Sequence, residues 1–512
     1  MFKHFKTDLK SGLVVFLVAL PLCLGIAFLQ KAPLFSGIIS GIIGGIVVSS
    51  ISKSRFSVSG PDAGLTTAVL ATVAALGSFE AFLLCLVVAG CIQVIFGLVK
   101  AGIVGHYIPF AVIKGVLASI GIILIMKQIP HLVGYDADAE GDESFLQTDG
   151  QNTLSELLNM VNDLNPGSIL IGVLSLGILL LWQTNVIKKT GIHNYIPAPL
   201  MVVVIGACAF LLLDPFLPHA YLNKSHLVDL PDIHSPADMI KNIQTPDFSM
   251  WNKLILYQEA LLLAVVLSID TLLNIEAIDK LDPQNYITPT NRELVAQGIG
   301  NMLCGLLGGI PLSSVIVRSS ANINAGAKTK LSAIIHGVLF LLMVSFIPAV
   351  LELIPKAALA AILIFTGFRL TTPKLYKTVY KQGFDQFFPF VITILAFLLT
   401  DLLVGVSCGI VTSVFFILRQ NYRNPYKIVK DEIDGQMNYF IKLSQNVTFL
   451  NKGKLIELLH SIPQGSKVFI DGGRSNFIDK DVLEVISEFK RSCPYNNIEL
   501  SLEEIEEVEL IS

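Results

Sequence analysis

Apolar runs fill the chain from residue 11 to about residue 419, and they constrain its fold more than any other feature. An apolar helix needs about 20 residues to cross a bilayer, and most of the runs have roughly that length. They raise the hydrophobic share of the chain to 53% and lower the charged share to 15%, whereas a soluble domain is about 25% charged. The sequence therefore predicts an all-α polytopic membrane protein over this range.

Fourteen membrane segments are predicted, and two of them are too short to cross a bilayer alone. The short ones are the third and the tenth, so they occupy equivalent places in a 7+7 division of the chain. Short, Gly/Pro-interrupted segments at matching places of two halves are typical of secondary transporters built from inverted repeats. The fourteen segments are residues 12–29, 33–51, 63–77, 80–99, 105–127, 167–184, 197–214, 256–275, 291–309, 312–326, 330–350, 357–370, 385–401 and 403–419.

Lysine and arginine are distributed unevenly between the predicted loops. The loops on one side carry few of them, and the loop 129–165 on that side has none but has eight acidic residues. Because positive loops stay in the cytoplasm, the pattern predicts a multi-pass protein of the cell (inner) membrane with both termini cytoplasmic. The formal net charge of −4 gives no indication of a nucleic-acid partner.

Breaks at Gly and Pro precede the two short segments. Ser59-Gly60-Pro61 interrupts the chain before the third segment, and Pro311 interrupts it before the tenth. The first N–H groups of a helix lack partners, and the macrodipole places about half a positive charge there. Two such ends that converge in mid-bilayer form an anion site without a metal. The predicted substrate-binding residues are Gly60, Asp62, Thr66, Thr67, Ser313, Ser314, Val315 and Arg318.

The eighth segment carries Asp270 and Asn274, four residues apart and therefore on one face of a helix. A carboxylate at membrane depth costs roughly 3 kcal/mol on insertion scales, so a compensating partner is expected. Three interpretations remain open: oxygens of both residues bind Na⁺, Asp270 carries a coupling proton, or Asp270 forms an ion pair with Arg318. For Asp62, capping of the third segment is the alternative to a binding role.

Several motifs, taken in order, resemble the SulP family of inorganic anion transporters across nearly the whole chain. SIDTLL and NRELVAQGIGN look most like the sodium-dependent bicarbonate transporters, since the sulfate/proton branch usually has Glu at the position of Asp270. The resembling stretches are DLKSGLVVFLVALPLCLGIAF, SVSGPDAGLT, YIPFAVIKGVLASIGIILIMKQIPHLVG, IPAPLMVVVIG, SIDTLL, NRELVAQGIGNMLCGLLGGIP and RSSANINAGAKTKLSAIIHG.

The resemblance implies a core domain of segments 1–4 and 8–11 and a gate domain of segments 5–7 and 12–14. Substrate is then expected between segments 3 and 10, with the core moving like an elevator. The resemblance also implies that Asp270, Asn274 and Ser314 bind Na⁺ and that Arg318 lies near the anion. The chain departs from the bicarbonate members at Asn274, where they carry Thr, and at Ile316, which offers no side-chain oxygen.

A small α/β domain is predicted over 436–512, after a transporter domain over 1–419 and a charged linker over 420–435. Strands are expected at MNYFIKL, KVFIDGG and IELSLEE, and a helix at DKDVLEVISEFKRSC. VFIDGGRSNFID resembles the signature of cytoplasmic STAS domains, and the tail is shorter than a full one. Lys480 and Asp481 stand where anti-sigma-factor antagonists of that family carry a phosphorylated Ser, so no such switch is expected. The domain is interpreted as a dimer contact or docking unit, and the chain as a homodimer.

The sequence thus predicts a secondary transporter of a small inorganic oxyanion, bicarbonate first and sulfate second. Na⁺ or H⁺ is the expected coupling ion, and no other cofactor or metal is expected. The alternatives are a sulfate/proton symporter or anion exchanger, and an uncoupled anion channel on the same scaffold. A nucleobase transporter is disfavoured because no aromatic residue lies within two turns of Asp270. An enzyme is not indicated, since there is no nucleophile–base set or phosphate loop.

Overall fold

The structure is a computed structural model, and it describes residues 4–136, 152–190, 196–213, 226–228, 243–346, 348–423, 426–433 and 436–506. Residues 137–151 of the predicted acidic loop 129–165 lie outside the described residues. The chain divides into two compact units, Met1–Ile410 and Val411–Ser512. In its described residues the first unit is helical apart from two short paired strands, and the second contains a four-stranded sheet.

Every predicted membrane segment coincides with a helix. The described helices of this part of the chain are α1 (Phe5–Leu29), α2 (Leu34–Ile43), α3 (Ser49–Ile51), α4 (Thr66–Leu76), α5 (Phe79–Leu98), α6 (Phe110–Val133), α7 (Thr153–Asn159), α8 (Pro166–Leu181), α9 (Asn185–Thr190), α10 (Ala198–Leu213), α11 (Leu254–Leu281), α12 (Thr290–Leu307), α13 (Ile316–Asn324), α14 (Leu331–Phe346), α15 (Pro348–Leu351), α16 (Lys356–Leu370), α17 (Pro373–Lys381), α18 (Phe384–Leu399) and α19 (Leu402–Arg423).

Helix length separates full spans from half-helices. By length and composition alone, seven of the described helices are able to cross a membrane, or eight if one pair bent by 119° counts as a single span. The third predicted segment is α4, with 11 residues, and the tenth is α13, with 9 residues. At 1.5 Å per residue these helices are roughly 16 and 14 Å long, about half of the ~30 Å hydrocarbon core. Neither crosses alone, as predicted.

The helices pack in two sets. In one set α5 packs along α11 and α12, while α1 packs along α2 and α14. In the other set α6 packs along α16 and α18, and α16 also packs along α8. The first set contains the segments assigned to the core and the second those assigned to the gate, whose relative motion stays a prediction.

Two three-residue strands precede the half-helices. β1 (Ser59–Pro61) and β2 (Leu312–Ser314) pair in antiparallel register, with Gly60 opposite Ser313. The tenth segment was expected to be helical from residue 312, but its first residues form β2 and the helix begins at Ile316. Backbone groups buried in a membrane domain require partners, and the two strands supply them to each other.

The second unit is the predicted α/β domain. Its sheet has the order β3 (Tyr426–Ile433), β4 (Gln436–Leu443), β6 (Lys467–Asp471), β8 (Glu499–Glu503), and only β3 runs antiparallel to its neighbour. Two further strands, β5 (Asn446–Val447) and β7 (Phe477–Ile478), pair with each other, and the helices are α20 (Lys452–His460) and α21 (Lys480–Ser492). Strand β3 corrects the prediction of a linker over its residues. Tyr426 and Ile428 pack on the apolar core, and Asp434-Gly435 is a typical hairpin sequence between two strands.

Candidate functional site

A cavity lies at the start of both half-helices. Its volume is about 110 Å³, and roughly 10–15 Å³ of such space is enough for one water molecule, so several waters or one small oxyanion fit. The pairing of β1 with β2 brings the two helix starts together, as the Gly and Pro breaks predict. The lining residues are Asp62, Ala63, Gly64, Thr66, Thr67, Leu70, Ile120, Asn274, Val315, Ile316, Val317, Phe397, Asp401 and Leu402.

The N-terminus of α13 faces this cavity without a cap. Val315 precedes the helix in an extended conformation, and no described side chain accepts a hydrogen bond from the first turn. Val315, Ile316 and Val317 all line the cavity. Unpartnered N–H groups and the positive end of the dipole together favour an anion. Because the side chains at this helix start are apolar, its backbone N–H groups are the donors that it offers to a ligand.

The N-terminal end of the third segment carries its own carboxylate. Asp62 Oδ1 accepts a hydrogen bond of 2.9 Å from the N–H of Gly64, and the 3₁₀ turn Ala63–Leu65 then leads into α4. Thr66 Oγ1 is buried and has no hydrogen-bond partner among the described residues, although Thr66 lines the cavity. Thr67 lines the cavity as well. This end therefore offers a hydroxyl to a ligand but also holds a fixed acidic group.

A buried amide links Asp62 to Asp270. Nδ2 of Asn274 donates to Asp62 Oδ2 at 3.1 Å and to Asp270 Oδ2 at 3.3 Å. Ser313 Oγ donates to the same oxygen of Asp62 at 3.0 Å. Asp62 is 7% exposed and Asp270 2%. Asn274 thus turns its nitrogen toward both carboxylates, whereas a Na⁺ ligand would turn its oxygen toward the ion.

Ser314 lies outside this cluster. Its hydroxyl donates to Glu293 Oε1 at 3.1 Å, and it accepts hydrogen bonds from Gln297 Nε2 at 3.0 Å and from Ser57 Oγ at 3.1 Å. All four residues are buried. Ser314 is absent from the cavity lining. The structure therefore places Ser314 in a network that holds β2 against α12, and its roles in substrate and cation binding stay predictions.

Arg318 is buried behind β1. Nη2 donates to the carbonyl of Pro61 at 3.1 Å, and Nε and Nη1 have no hydrogen-bond partner among the described residues. A Cβ at Gly60 would lie 1.9 Å from Nη1, so only glycine leaves room for the guanidinium here. Neither Gly60 nor Arg318 lines the cavity. Arg318 thus places its positive charge behind the strand, and its ion pair with Asp270 stays one of the open interpretations.

The sequence did not predict the side of the cavity that the second helix set forms. Ile120 from α6, Phe397 from α18, and Asp401 and Leu402 from the start of α19 complete the cavity. Asp401 Oδ1 accepts a hydrogen bond of 2.8 Å from the N–H of Val404 and so caps α19. An acidic residue between two apolar runs is a detectable signal, but the sequence alone does not show that this turn meets the half-helices.

Comparisons with known proteins identify the family. A family model described as the sulfate permease family matches residues 5–393. The chain belongs to the sulfate permease family. The putative sulfate transporter YvdB of Bacillus subtilis is 26% identical over 418 residues, which cover 82% of this chain and 74% of that protein. The bicarbonate transporter BicA of Picosynechococcus is 26% identical over 439 residues, which cover 83% and 73%.

A solved structure supports the same fold. The murine Slc26a9 anion transporter superposes with a TM-score of 0.67 at 15% identity, covering 98% of this chain and 86% of that chain. The family confirms the resemblance that the motifs carry, and this sulfate permease family member is a multi-pass membrane anion transporter. A sulfate and a bicarbonate relative match with the same identity, so the choice of anion has to be argued from the site.

Proposed function

We propose that the chain is a secondary active transporter of a small inorganic oxyanion, and that bicarbonate is its main substrate. One observation carries the proposal: the uncapped N-terminus of α13 and the unpartnered hydroxyl of Thr66 face the same cavity. Backbone N–H groups and one hydroxyl are donors that suit an oxyanion. The α13 helix start supplies the positive potential, and Thr66 supplies a hydrogen bond from the opposite half-helix.

The charge of Asp62 favours a monoanion over a dianion. Two unit charges about 5 Å apart repel each other by roughly 3 kcal/mol at an effective dielectric constant of 20, and a dianion doubles that repulsion. Asp62 lines the cavity, so sulfate encounters the larger penalty. Sulfate transport with protons remains the alternative, because protonation of Asp62 removes this penalty.

The pair Asp62 and Asp270 is the proposed coupling site. Asn274 donates to both carboxylates through one nitrogen, so the accepting oxygens lie within about 6 Å of each other, where two ionised groups repel by roughly 3 kcal/mol. A Na⁺ ion or a proton relieves this repulsion. A cation held there also attracts the anion in the cavity, which links the two binding events.

The transport step is proposed to be an elevator movement of the first helix set against the second. Both half-helices pack against α11 of the first set, which carries Asp270, while α6, α18 and α19 form the opposite wall of the cavity. Movement of the first set carries the whole polar site past the wall formed by Ile120, Phe397, Asp401 and Leu402. We further propose that the chain forms a homodimer in the cell (inner) membrane and that both termini are cytoplasmic. The uneven distribution of Lys and Arg supports this orientation.

Uptake by the purified chain in proteoliposomes tests the function. Labelled bicarbonate and labelled sulfate are each measured with and without a Na⁺ gradient and with and without a pH gradient. We expect saturable bicarbonate uptake that one of the two gradients accelerates and that excess sulfate inhibits weakly. Saturable uptake of sulfate alone would select the alternative substrate, and a current without saturation or cation dependence would identify an anion channel.

A further inference from the structure

Three polar residues form a stripe along the buried face of α12. Glu293, Gln297 and Asn301 follow one another at intervals of four residues, so they lie on one side of the helix. All three are fully buried. They belong to the motif NRELVAQGIGN, and neither the proposed anion site nor the proposed coupling pair includes them. Because a buried polar group is costly unless it is hydrogen-bonded, the partners of this stripe indicate what it holds.

The first two members of the stripe bind the strands that precede the half-helices. Nε2 of Gln297 donates to Ser59 Oγ of β1 at 2.7 Å and to Ser314 Oγ of β2 at 3.0 Å. Glu293 Oε1 accepts a hydrogen bond of 3.1 Å from the hydroxyl of Ser314. These two residues therefore tie both strands to α12 through the side chains of serines.

Asn301 bonds to the backbone of β2 instead. Its Oδ1 accepts a hydrogen bond of 2.9 Å from the N–H of Leu312, and its Nδ2 donates to the carbonyl of Leu312 at 3.1 Å. Pairs in an antiparallel ladder alternate between those that exchange both backbone bonds and those that exchange none. Because the N–H of Val315 bonds to the carbonyl of Val58 at 3.0 Å, Leu312 falls on a pair of the second kind. Its backbone groups point away from β1, and the carboxamide of Asn301 takes the place of a third strand.

A second helix holds the carboxamide of Asn301 in place. Nδ2 of Asn301 also donates to Oε1 of Gln93 on α5 at 3.0 Å, and Gln93 is fully buried. Three residues before Gln93 and Asn301, α5 and α12 cross at Gly90 and Gly298. A Cβ at either glycine would lie 2.7 Å from the carbonyl oxygen of the other, so only glycine permits this approach. The carboxamide thus rests on two helices whose backbones are in contact.

We propose that Asn301 is a positioning residue for anion binding. Leu312 lies four residues before Ile316, where α13 begins, and no described side chain caps this helix. The orientation of its free N–H groups therefore depends on the strand before it, and Asn301 fixes that strand at its backbone. A binding site needs such supporting hydrogen bonds to hold its donors in place. The inference rests on the anion site proposed above, and Asn301 itself does not line the cavity.

Hydrogen exchange of the full-length chain in nanodiscs tests the positioning without a transport assay. Asn301→Leu is similar in shape and removes both bonds to Leu312. Gln93→Met is the matched control, because it removes a bond of the same carboxamide and leaves both bonds to β2. We expect a peptide covering residues 312–317 to exchange at least about tenfold faster in N301L than in the parent chain, and within about twofold of the parent in Q93M. Equal exchange of this peptide in N301L and the parent would overturn the proposal.

The KM and the maximal rate of uptake separate positioning from a structural role. We expect N301L to raise the KM for bicarbonate about tenfold, because two hydrogen bonds that orient the helix start are lost, and to keep the maximal rate within about twofold. Q93M is expected to lower the thermal unfolding midpoint as much as N301L but to change the KM less than about twofold. Faster exchange in N301L with an unchanged KM would assign Asn301 a structural role only and overturn the proposal.

Two further outcomes are distinguishable. If N301L does not fold, Asn301→Ala leaves space for a water at Leu312 and is expected to show the same pattern with a KM about threefold above that of the parent chain. An unchanged KM and unchanged exchange in N301A would overturn the proposal as well. If the parent chain takes up neither bicarbonate nor sulfate, the proposed function is wrong, while the exchange measurement still decides whether Asn301 holds β2.

Discussion

The two half-helices begin alike in sequence but not in chemistry. Both follow a break at Pro and a three-residue strand, and both start at the same cavity. The start of α13 has no cap, whereas Asp62 caps the turn that leads into α4. A helix N-terminus holds one anionic group well. The capped end is therefore already occupied by a carboxylate of the chain, and the uncapped end is available to a ligand.

This difference suggests that the two half-helix ends, although they are equivalent in the repeated architecture, bind different ions. At the uncapped end the anion is held by backbone N–H groups, and at the capped end Asp62 and Asp270 share the amide of Asn274. Substrate and coupling ion then bind at neighbouring ends of one site. Four substitutions test this comparison, and they follow from the largest expected effect to the smallest.

Asp270→Asn removes one of the two carboxylates behind the capped end. We expect coupled uptake to fall by about 100-fold or more, because roughly 3 kcal/mol of attraction for the coupling cation is lost. The measurement is initial uptake into proteoliposomes with and without the ion gradient. The thermal unfolding midpoint serves as the control for folding. Full gradient-driven uptake by this variant would remove Asp270 from the coupling site.

Val315→Asp gives the uncapped end a carboxylate and so makes the two ends alike. We expect the apparent anion affinity to fall about thirtyfold, since the interaction of a charge with a partly buried helix terminus reaches about 2 kcal/mol. The KM for uptake measures this loss. Val315→Asn is the matched control, because it caps without a charge and is expected to lose less. Unchanged affinity in both variants would place the anion elsewhere.

Asp62→Asn removes the charge from the capped end and keeps an acceptor for the N–H of Gly64. Without Na⁺ and at alkaline pH, we expect anion affinity to rise at least about tenfold, and more for sulfate than for bicarbonate, because the repulsion that is removed doubles for a dianion. Gradient coupling is expected to be lost. Ser313→Ala removes the neighbouring hydrogen bond without changing the charge and is the control. A weaker affinity in Asp62→Asn would identify Asp62 as an anion ligand.

Thr66→Val removes the hydroxyl that faces the cavity without a partner. We expect the KM to rise about fivefold, the effect of one hydrogen bond of roughly 1 kcal/mol. Thr66→Ser retains the hydroxyl and is expected to behave like the parent chain. Equal KM values for the Val and Ser variants would show that the substrate does not use this donor.

Much of the architecture was predictable because the lengths of the apolar runs and the positions of the Gly and Pro breaks can be read directly from the sequence. The fourteen segments, the two half-helices and their meeting point follow from such patterns. The contacts of Ser314 and Arg318 did not follow, because the strand pair turns Ser314 toward Glu293 and places Arg318 behind Gly60. Asp401 was missed because its position in the cavity depends on packing between distant helices. Strand β3 was not predicted because the charged residues along it are also typical of a linker.

The central claim is that the anion binds at the uncapped start of α13. An experimental structure of the chain with bicarbonate bound is the most direct test. The account predicts density within hydrogen-bond distance of the N–H groups of Ile316 and Val317 and of Thr66 Oγ1. Density against the guanidinium of Arg318 behind β1, with an empty cavity, would contradict it.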